Sequence, residues 1–207
     1  MGQVRIIAGQ WRRRAIVVPE RPGLRPTPDR VRETLFNWLD HLLERDWSEV
    51  NAMDVFGGTG VLGFEAASRG ARLVTMVDQD RHACVSMQRL AQELRADPLR
   101  VRVVQADGFT QLERAAESSL DLIFLDPPFR QGLMERALTL AARAIRPTGL
   151  IYVESEATLE HWVEAAPMGS PVKALVPVRS LKAGQVMAGL LCSGKQTSAD
   201  SGDRELP

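Results

Sequence analysis

Asp54-Val55-Phe56-Gly57-Gly58-Thr59-Gly60-Val61-Leu62-Gly63 ends a short apolar run, turns on closely spaced glycines and opens a helix-forming stretch. Glycines at 57, 58 and 60 allow a sharp turn and let backbone N–H groups approach a ligand, because no Cβ intervenes. Gly58, Gly60 and Gly63 also satisfy GxGxxG, which alone is a weak pointer to a dinucleotide. Asp54 tilts the reading elsewhere. A carboxylate beside the loop repels a pyrophosphate but pairs with an ammonium group.

Outward from this loop, strand-like runs at 51–56, 72–77, 101–105, 121–125 and 149–154 alternate with helical stretches at 61–69, 80–95, 108–117 and 131–145. Short apolar strands alternating with helices imply a mostly parallel sheet covered on both faces. Segments 172–178 and 185–192 read as a closing hairpin. In open sheets of this kind ligands bind at the carboxyl ends of the strands. Acids stand there: Asp78 after LVTMV and Asp107 after VRVVQA. Asp78 suits both hydroxyls of a ribose. Asp107 suits an adenine amine or the pocket beside it. Asp80 reads as a helix N-cap and as a second candidate for the ribose. Each acid alone is more often a helix cap or a solvated loop end. Together with Asp54 they match S-adenosylmethionine: an ammonium, a ribose and an adenine presented to successive strand ends.

The fourth strand of this series ends in Asp126-Pro127-Pro128-Phe129. An exocyclic amine on a nucleobase is a poor nucleophile, because its lone pair is delocalised into the ring. If Asp126 and the Pro127 carbonyl accept its two N–H bonds, the nitrogen moves towards tetrahedral geometry and its lone pair is aimed. The prolines stiffen the loop, and Phe129 offers a face on which a flipped base can stack. A bare strand-to-turn junction is the bland alternative, and the glycine loop upstream argues against it. His41, His82 and His161 show no ligand or triad spacing, and no metal site is expected.

The ends of the chain have a different character. Residues 3–8 and 14–18 are β-rich around Gly9-Gln10-Trp11 and read as a hairpin. Pro19 to Pro28 is proline-rich, and Thr27-Pro28 resembles the start of a helix over 29–44. Net charge over the 207 residues is zero, but its distribution is uneven. Arg5, Arg12, Arg13, Arg14, Arg21, Arg25, Arg30 and Arg32 face only Glu20 and Asp29 in the first 32 residues. A basic arm on a neutral protein suggests contact with a polyanion. Against that, arginine is the usual base throughout the chain, with lysine only at 173, 182 and 195. No run is apolar and long enough for a membrane span or a secretory signal, so a cytoplasmic location is expected. Cys84 and Cys192, far apart and outside any cluster, read as free thiols.

RIIAGQWRRR (Arg5–Arg14), GLRPTPDRVRETLFNWL (Gly23–Leu39), DVFGGTGVLGFEAASRGA (Asp54–Ala71), DPPF (Asp126–Phe129), LIYVESE (Leu150–Glu156) and GQV (Gly184–Val186) resemble the bacterial 16S rRNA guanine-966 N2-methyltransferases. The second block discriminates most, since it lies outside the generic methyltransferase fold. The resemblance implies a Rossmann-like class I S-adenosylmethionine-dependent methyltransferase with a mostly parallel seven-stranded sheet and an N-terminal β-hairpin extension. It implies methyl transfer to N2 of a guanine, with the small ribosomal subunit or its assembly intermediate as partner. By position, Asp54, Gly58 and Gly60 would hold the methionine part of the donor, Asp78 its ribose and Asp107 its adenine, with Phe56 also among the donor-binding residues. Asp126, Pro127 and Phe129 would hold the guanine, and Arg5, Arg12, Arg13, Arg14, Arg25, Arg30 and Arg32 would meet RNA. Thr27 shares the motif of Arg25 and Arg30. The family more often has alanine at Gly58, serine at Thr59 and glutamate at Asp78.

The expected organisation is a basic RNA-binding hairpin and linker over 1–28, a methyltransferase domain over 29–192 and a disordered tail over 193–207, as a monomer. Rival expectations are an N6-adenine methylase of RNA or DNA, a non-catalytic RNA-binding assembly factor and, from GxGxxG, a nicotinamide oxidoreductase.

Overall fold

The computed structural model describes residues 2–18, 29–128, 132–184 and 186–194. Thr27, Arg25, Phe129 and the tail beyond Gly194 lie outside these residues. The alternating pattern yields a seven-stranded sheet. Its strands are β3 (Asn51–Asp54), β4 (Leu73–Asp78), β5 (Val101–Gln105), β6 (Leu120–Leu125), β7 (Ile145–Ser155), β8 (Leu175–Ala183) and β9 (Val186–Ser193), in spatial order β5-β4-β3-β6-β7-β9-β8. β3 pairs in parallel with both β4 and β6, so the chain reverses its direction of winding there. That switch opens a crevice at the strand ends, where Asp54 and the glycine loop emerge. β9 alone runs against its neighbours β7 and β8.

The strands are apolar on both sides because both faces are covered. One face carries α1 (Asp29–Leu42), α2 (Val61–Arg69) and α3 (Arg81–Glu93), joined in a single core through Phe36, Phe64, Met76, Phe124 and Tyr152. The other carries α4 (Gly108–Arg114), α5 (Met134–Ala144) and α6 (Leu159–Ala165) around Ile123, Leu138 and Val153. α6 has no counterpart in the sequence reading. Its seven residues hold too few apolar repeats to register as a period, and Thr158 begins it by accepting from the His161 N–H at 3.2 Å. A 3-10 turn over Pro171–Ala174 delays β8 beyond the expected start at 172.

At the N-terminus, β1 (Gly2–Arg5) and β2 (Ala15–Val18) form the expected hairpin. The first strand is shorter than 3–8 for a clear reason. The Ile7 and Ala8 N–H groups donate to Glu65 of α2, at 2.7 and 3.0 Å, instead of continuing the ladder. Gln10 N–H donates to the Ser68 carbonyl at 2.8 Å and Trp11 N–H to Ser68 Oγ at 2.9 Å, while Ser68 Oγ donates to the Ala8 carbonyl. Gly9 is required in this dock: its φ is +80°, and a Cβ would stand 1.9 Å from the Ser68 carbonyl oxygen. Val4, Ile6, Trp11, Ile16 and Val18 belong to the same core as α1 and α2. Among the described residues no helix is long and apolar enough to cross a membrane.

Candidate active site

The glycine loop is a braced turn. Gly57 N–H donates to the Val77 carbonyl at 2.7 Å and Gly60 N–H to the Gly57 carbonyl at 2.6 Å. Gly60 precedes α2 with φ +75°, and a Cβ there would meet the Phe64 ring at 2.8 Å. Gly58 is also left-handed, at φ +53°, and its N–H donates to Asp78 Oδ2 at 2.8 Å. Asp78 Oδ1 accepts from Asp80 N–H at 2.7 Å. One carboxylate therefore ties the loop to the end of β4. Each oxygen has two lone pairs, so accepting one N–H leaves capacity for a hydroxyl.

Asp54 is buried at the end of β3 and accepts from the first turn of α2, Gly63 N–H to Oδ2 at 3.2 Å. Burial pushes its carboxyl up to about 7. The Gly63 bond works against that shift, and the charges of Asp78 and Glu154 add to it. Phe56 lies half-buried between the loop and α4, its ring edge-on to Phe109 with centroids 5.7 Å apart.

Two acids resolve into caps. Asp80 starts α3 by accepting from His82 N–H at 2.6 Å. Asp107 starts α4: its Oδ1 accepts from Thr110 N–H at 2.8 Å and from Thr110 Oγ at 3.0 Å. Asp107 remains exposed, with its other oxygen free of any such cap bond to Thr110.

Asp126 follows β6 at the same edge of the sheet, partly exposed, with Pro127 buried next to it. Desolvation pushes its carboxyl well above the usual carboxylate range, and the charges of Glu154 and Asp54 push the same way. Glu154 had no role in the sequence reading. It lies near the end of β7, is 4% exposed, and its Oε1 accepts from the Tyr152 hydroxyl at 2.8 Å. In a strand it looks like one alternate residue of LIYVESE. Only the pairing of β6 with β7 brings it next to Asp126. Asp54, Asp126 and Glu154 thus come from three adjacent strands to one edge, where Glu154 raises the affinity of both aspartates for a proton and Asp54 that of Asp126. A positively charged ligand would reverse that effect, so this donor set suits a cation with an ammonium or sulfonium centre.

The basic residues divide. Arg5, Arg12, Arg13, Arg14 and Arg30 are exposed. Arg32 is not a surface cation: it is 0% exposed, donating from one terminal nitrogen to the Arg5 carbonyl at 3.1 Å and from the other to Asp29 at 2.5 Å. It clamps the hairpin to α1 and, so packed, is unavailable to a phosphate. The clue was visible, since Arg32 stands three, four and seven residues before the core positions Leu35, Phe36 and Leu39.

A glycine turn at the switch point, an acid at each neighbouring strand end and an Asp-Pro-Pro loop after β6 together define an α/β methyltransferase. A solved Escherichia coli structure described as a methyltransferase shares this fold, with a TM-score of 0.74 and 38% identity over 93% of this chain and 98% of its own. A methylase structure from Haemophilus influenzae matches with a TM-score of 0.71 and 32% identity, over 92% and 98% of the two chains. The family model Conserved hypothetical protein 95 matches residues 4–186. Ribosomal RNA small subunit methyltransferase D of Escherichia coli K12 is 43% identical over 157 residues, 75% of this chain and 76% of the relative. The protein of the same name from Haemophilus influenzae is 39% identical over 169 residues, 78% and 86%. The chain belongs to this family of methyltransferases, in agreement with the resemblance read from its motifs.

Proposed function

We propose that the protein transfers a methyl group from S-adenosylmethionine to the exocyclic N2 amine of a guanine in 16S rRNA. The observation that carries the reading is Asp126 beside Pro127 at the strand edge that also holds the glycine loop and Asp54. S-adenosylmethionine, when bound, supplies a methyl on a cationic sulfur that leaves as a neutral thioether. Asp54 and the close backbone approach allowed at Gly58 and Gly60 are suited to its amino acid end, Asp78 to the ribose hydroxyls, and the region of Phe56 and Asp107 to the adenine. The related proteins named as ribosomal RNA small subunit methyltransferases support RNA as the substrate.

Asp126 accepts one N–H of the target amine, and the Pro127 carbonyl accepts the other. These bonds hold the nitrogen out of conjugation and aim its lone pair at the methyl. Phe129 follows in sequence to stack the base. The basic hairpin and linker over 1–28 act as the RNA-binding extension of the domain over 29–192, with Arg5, Arg12, Arg13, Arg14, Arg25 and Arg30 on phosphates.

The test is transfer of labelled methyl to small subunits lacking their native methylation, followed by nucleoside analysis. Label in N2-methylguanosine that disappears with Asp126→Ala supports the reading. Label in N6-methyladenosine overturns the guanine target while keeping the loop chemistry. Tight donor binding with no label in RNA overturns the substrate.

A further inference from the structure

The chemistry of Asp126 leaves one proton unassigned. As nitrogen gains the methyl carbon and the donor sulfur keeps the bonding pair, the nitrogen becomes positively charged. It must then release a proton, keeping the N–H electron pair for its lone pair. A carboxylate already bonded to that N–H is the shortest destination.

The fold puts a second carboxyl beside it. β6 and β7 run in parallel with Phe124 opposite Tyr152 and Leu125 opposite Val153, so the next position along each strand is Asp126 and Glu154. Phe124 and Tyr152 touch edge to face, with centroids 6.2 Å apart, so this side of the two strands is continuous. Glu154 is fixed from below by the Tyr152 hydroxyl, and across β7 its partner on β9 is Ala188, which cannot ionise. The ionisable groups acting on Asp126 are Glu154 from β7 and, more weakly, Asp54 from β3. Tyr152 itself is held protonated by burial and by Glu154. It therefore serves Glu154 as a donor and does not compete as a base.

We propose that Glu154 is a positioning residue for methyl transfer: anchored by Tyr152, it shares one proton with Asp126, which leaves Asp126 able to take the proton released by the target amine. This rests on the assignment of Asp126 to the amine. Before transfer the pair carries one negative charge. Afterwards it is neutral, and it returns its extra proton to solvent as product leaves. The two acids titrate as a unit, so the step shows as an acid limb in the pH–rate profile.

Single-turnover transfer is measured between about pH 5 and 9 for the wild type, Glu154→Gln, Tyr152→Phe and Asp126→Asn. Glu154→Gln keeps an acceptor for the Tyr152 hydroxyl but cannot share an acidic proton with Asp126. The single anion loses that stabilisation, so the acid limb is expected to move up by about one unit, about a tenfold loss relative to plateau on the acid side. Tyr152→Phe removes a donor that stabilises the shared anion, so its limb is expected to move up. Urea unfolding gives a readout without turnover. Acids whose folded-state affinity for protons is raised lose stability as pH rises from about 4 to the pair's own titration. That loss is expected to be smaller in Glu154→Gln. Limbs that coincide with the wild type, or unfolding with the same pH dependence in Glu154→Gln, overturn the proposal. Active Asp126→Asn instead overturns the assignment of Asp126 itself.

Discussion

The two ends of α2 handle buried acid in opposite ways. At its C-terminal half, Glu65 is fully buried yet surrounded by donors: Ile7 N–H, Ala8 N–H and, at 3.0 Å, Arg69 Nε. Arg69 also pairs with Asp40 and lies over the Phe36 ring, while Asp40 accepts from Trp47 Nε1 at 2.8 Å. At the N-terminal end, Asp54 accepts one long bond from Gly63 and faces the negative charges of Asp78 and Glu154. The first cluster is closed: its charges and hydrogen bonds are satisfied within the fold. The second is held in a state that a cationic ligand would relieve. A structural charge is completed by the fold, whereas this functional one is completed by what binds.

The sharpest way to break the comparison is at the acid edge. Asp126→Ala is expected to lower the rate of transfer about 10³-fold, the usual cost of removing one aimed polar group from a site. Donor affinity, measured by calorimetry, stays within a few-fold. Undiminished turnover would mean the edge merely contains acids and does not use them.

The closed cluster should fail in stability instead. Glu65→Ala leaves two hairpin N–H groups and the Arg69 Nε–H without their acceptor, and Arg69 with Asp40 as its remaining carboxylate, expected to cost about 3–5 kcal/mol. Urea denaturation checks this, and proteolysis within residues 2–18 should accelerate before global unfolding. A loss below about 1 kcal/mol would show that the apolar contacts of Ile6, Trp11 and Ile16 dock the hairpin by themselves.

What was legible in the sequence follows the same division. Asp54, Asp78 and Asp126 were readable because period and motif place them at strand ends, where an α/β sheet binds ligands. The hairpin and the helix over 61–69 were readable from turn residues and spacing. Glu154 and Glu65 were not, because their partners lie on other elements and appear only when β6 meets β7 and the hairpin meets α2. Arg32 was misread because local charge density says nothing about which side of a helix a residue occupies. Its spacing from Leu35, Phe36 and Leu39 would have said so.

A milder effect distinguishes the edges by pH. Asp54 titrates near 7 in the folded protein, against about 3.9 in an unfolded chain. Stability from its protonated form is complete below about pH 4, declines as pH rises, and is gone above about 7. Donor binding has the reverse dependence if Asp54 pairs with the ammonium. Affinity should then rise up to about tenfold per unit below pH 7 and level off above it. In Asp54→Asn both slopes should flatten. Flat affinity in the wild type would remove Asp54 from the amino acid end of the donor.

The smallest expected effects belong to the exposed side of the dock. Arg12, Arg13 and Arg14 follow Trp11, whose ring is buried against Phe64 at a centroid distance of 6.4 Å. Arg13 takes a left-handed φ of 69°, and its N–H returns to the Ile6 carbonyl at 2.8 Å. The backbone of this turn is therefore fixed while its side chains stand in solvent. If they meet phosphates, each substitution by alanine should weaken RNA binding only a few-fold near physiological salt. The slope of log affinity against log salt should become shallower by up to about one per arginine. Fold stability should hardly move, because these side chains take no part in the bonds to Glu65 and Ser68. A salt slope unchanged by the triple substitution would assign the turn to docking alone. A steep loss of stability would instead mean that the closed cluster extends to the charges at its surface.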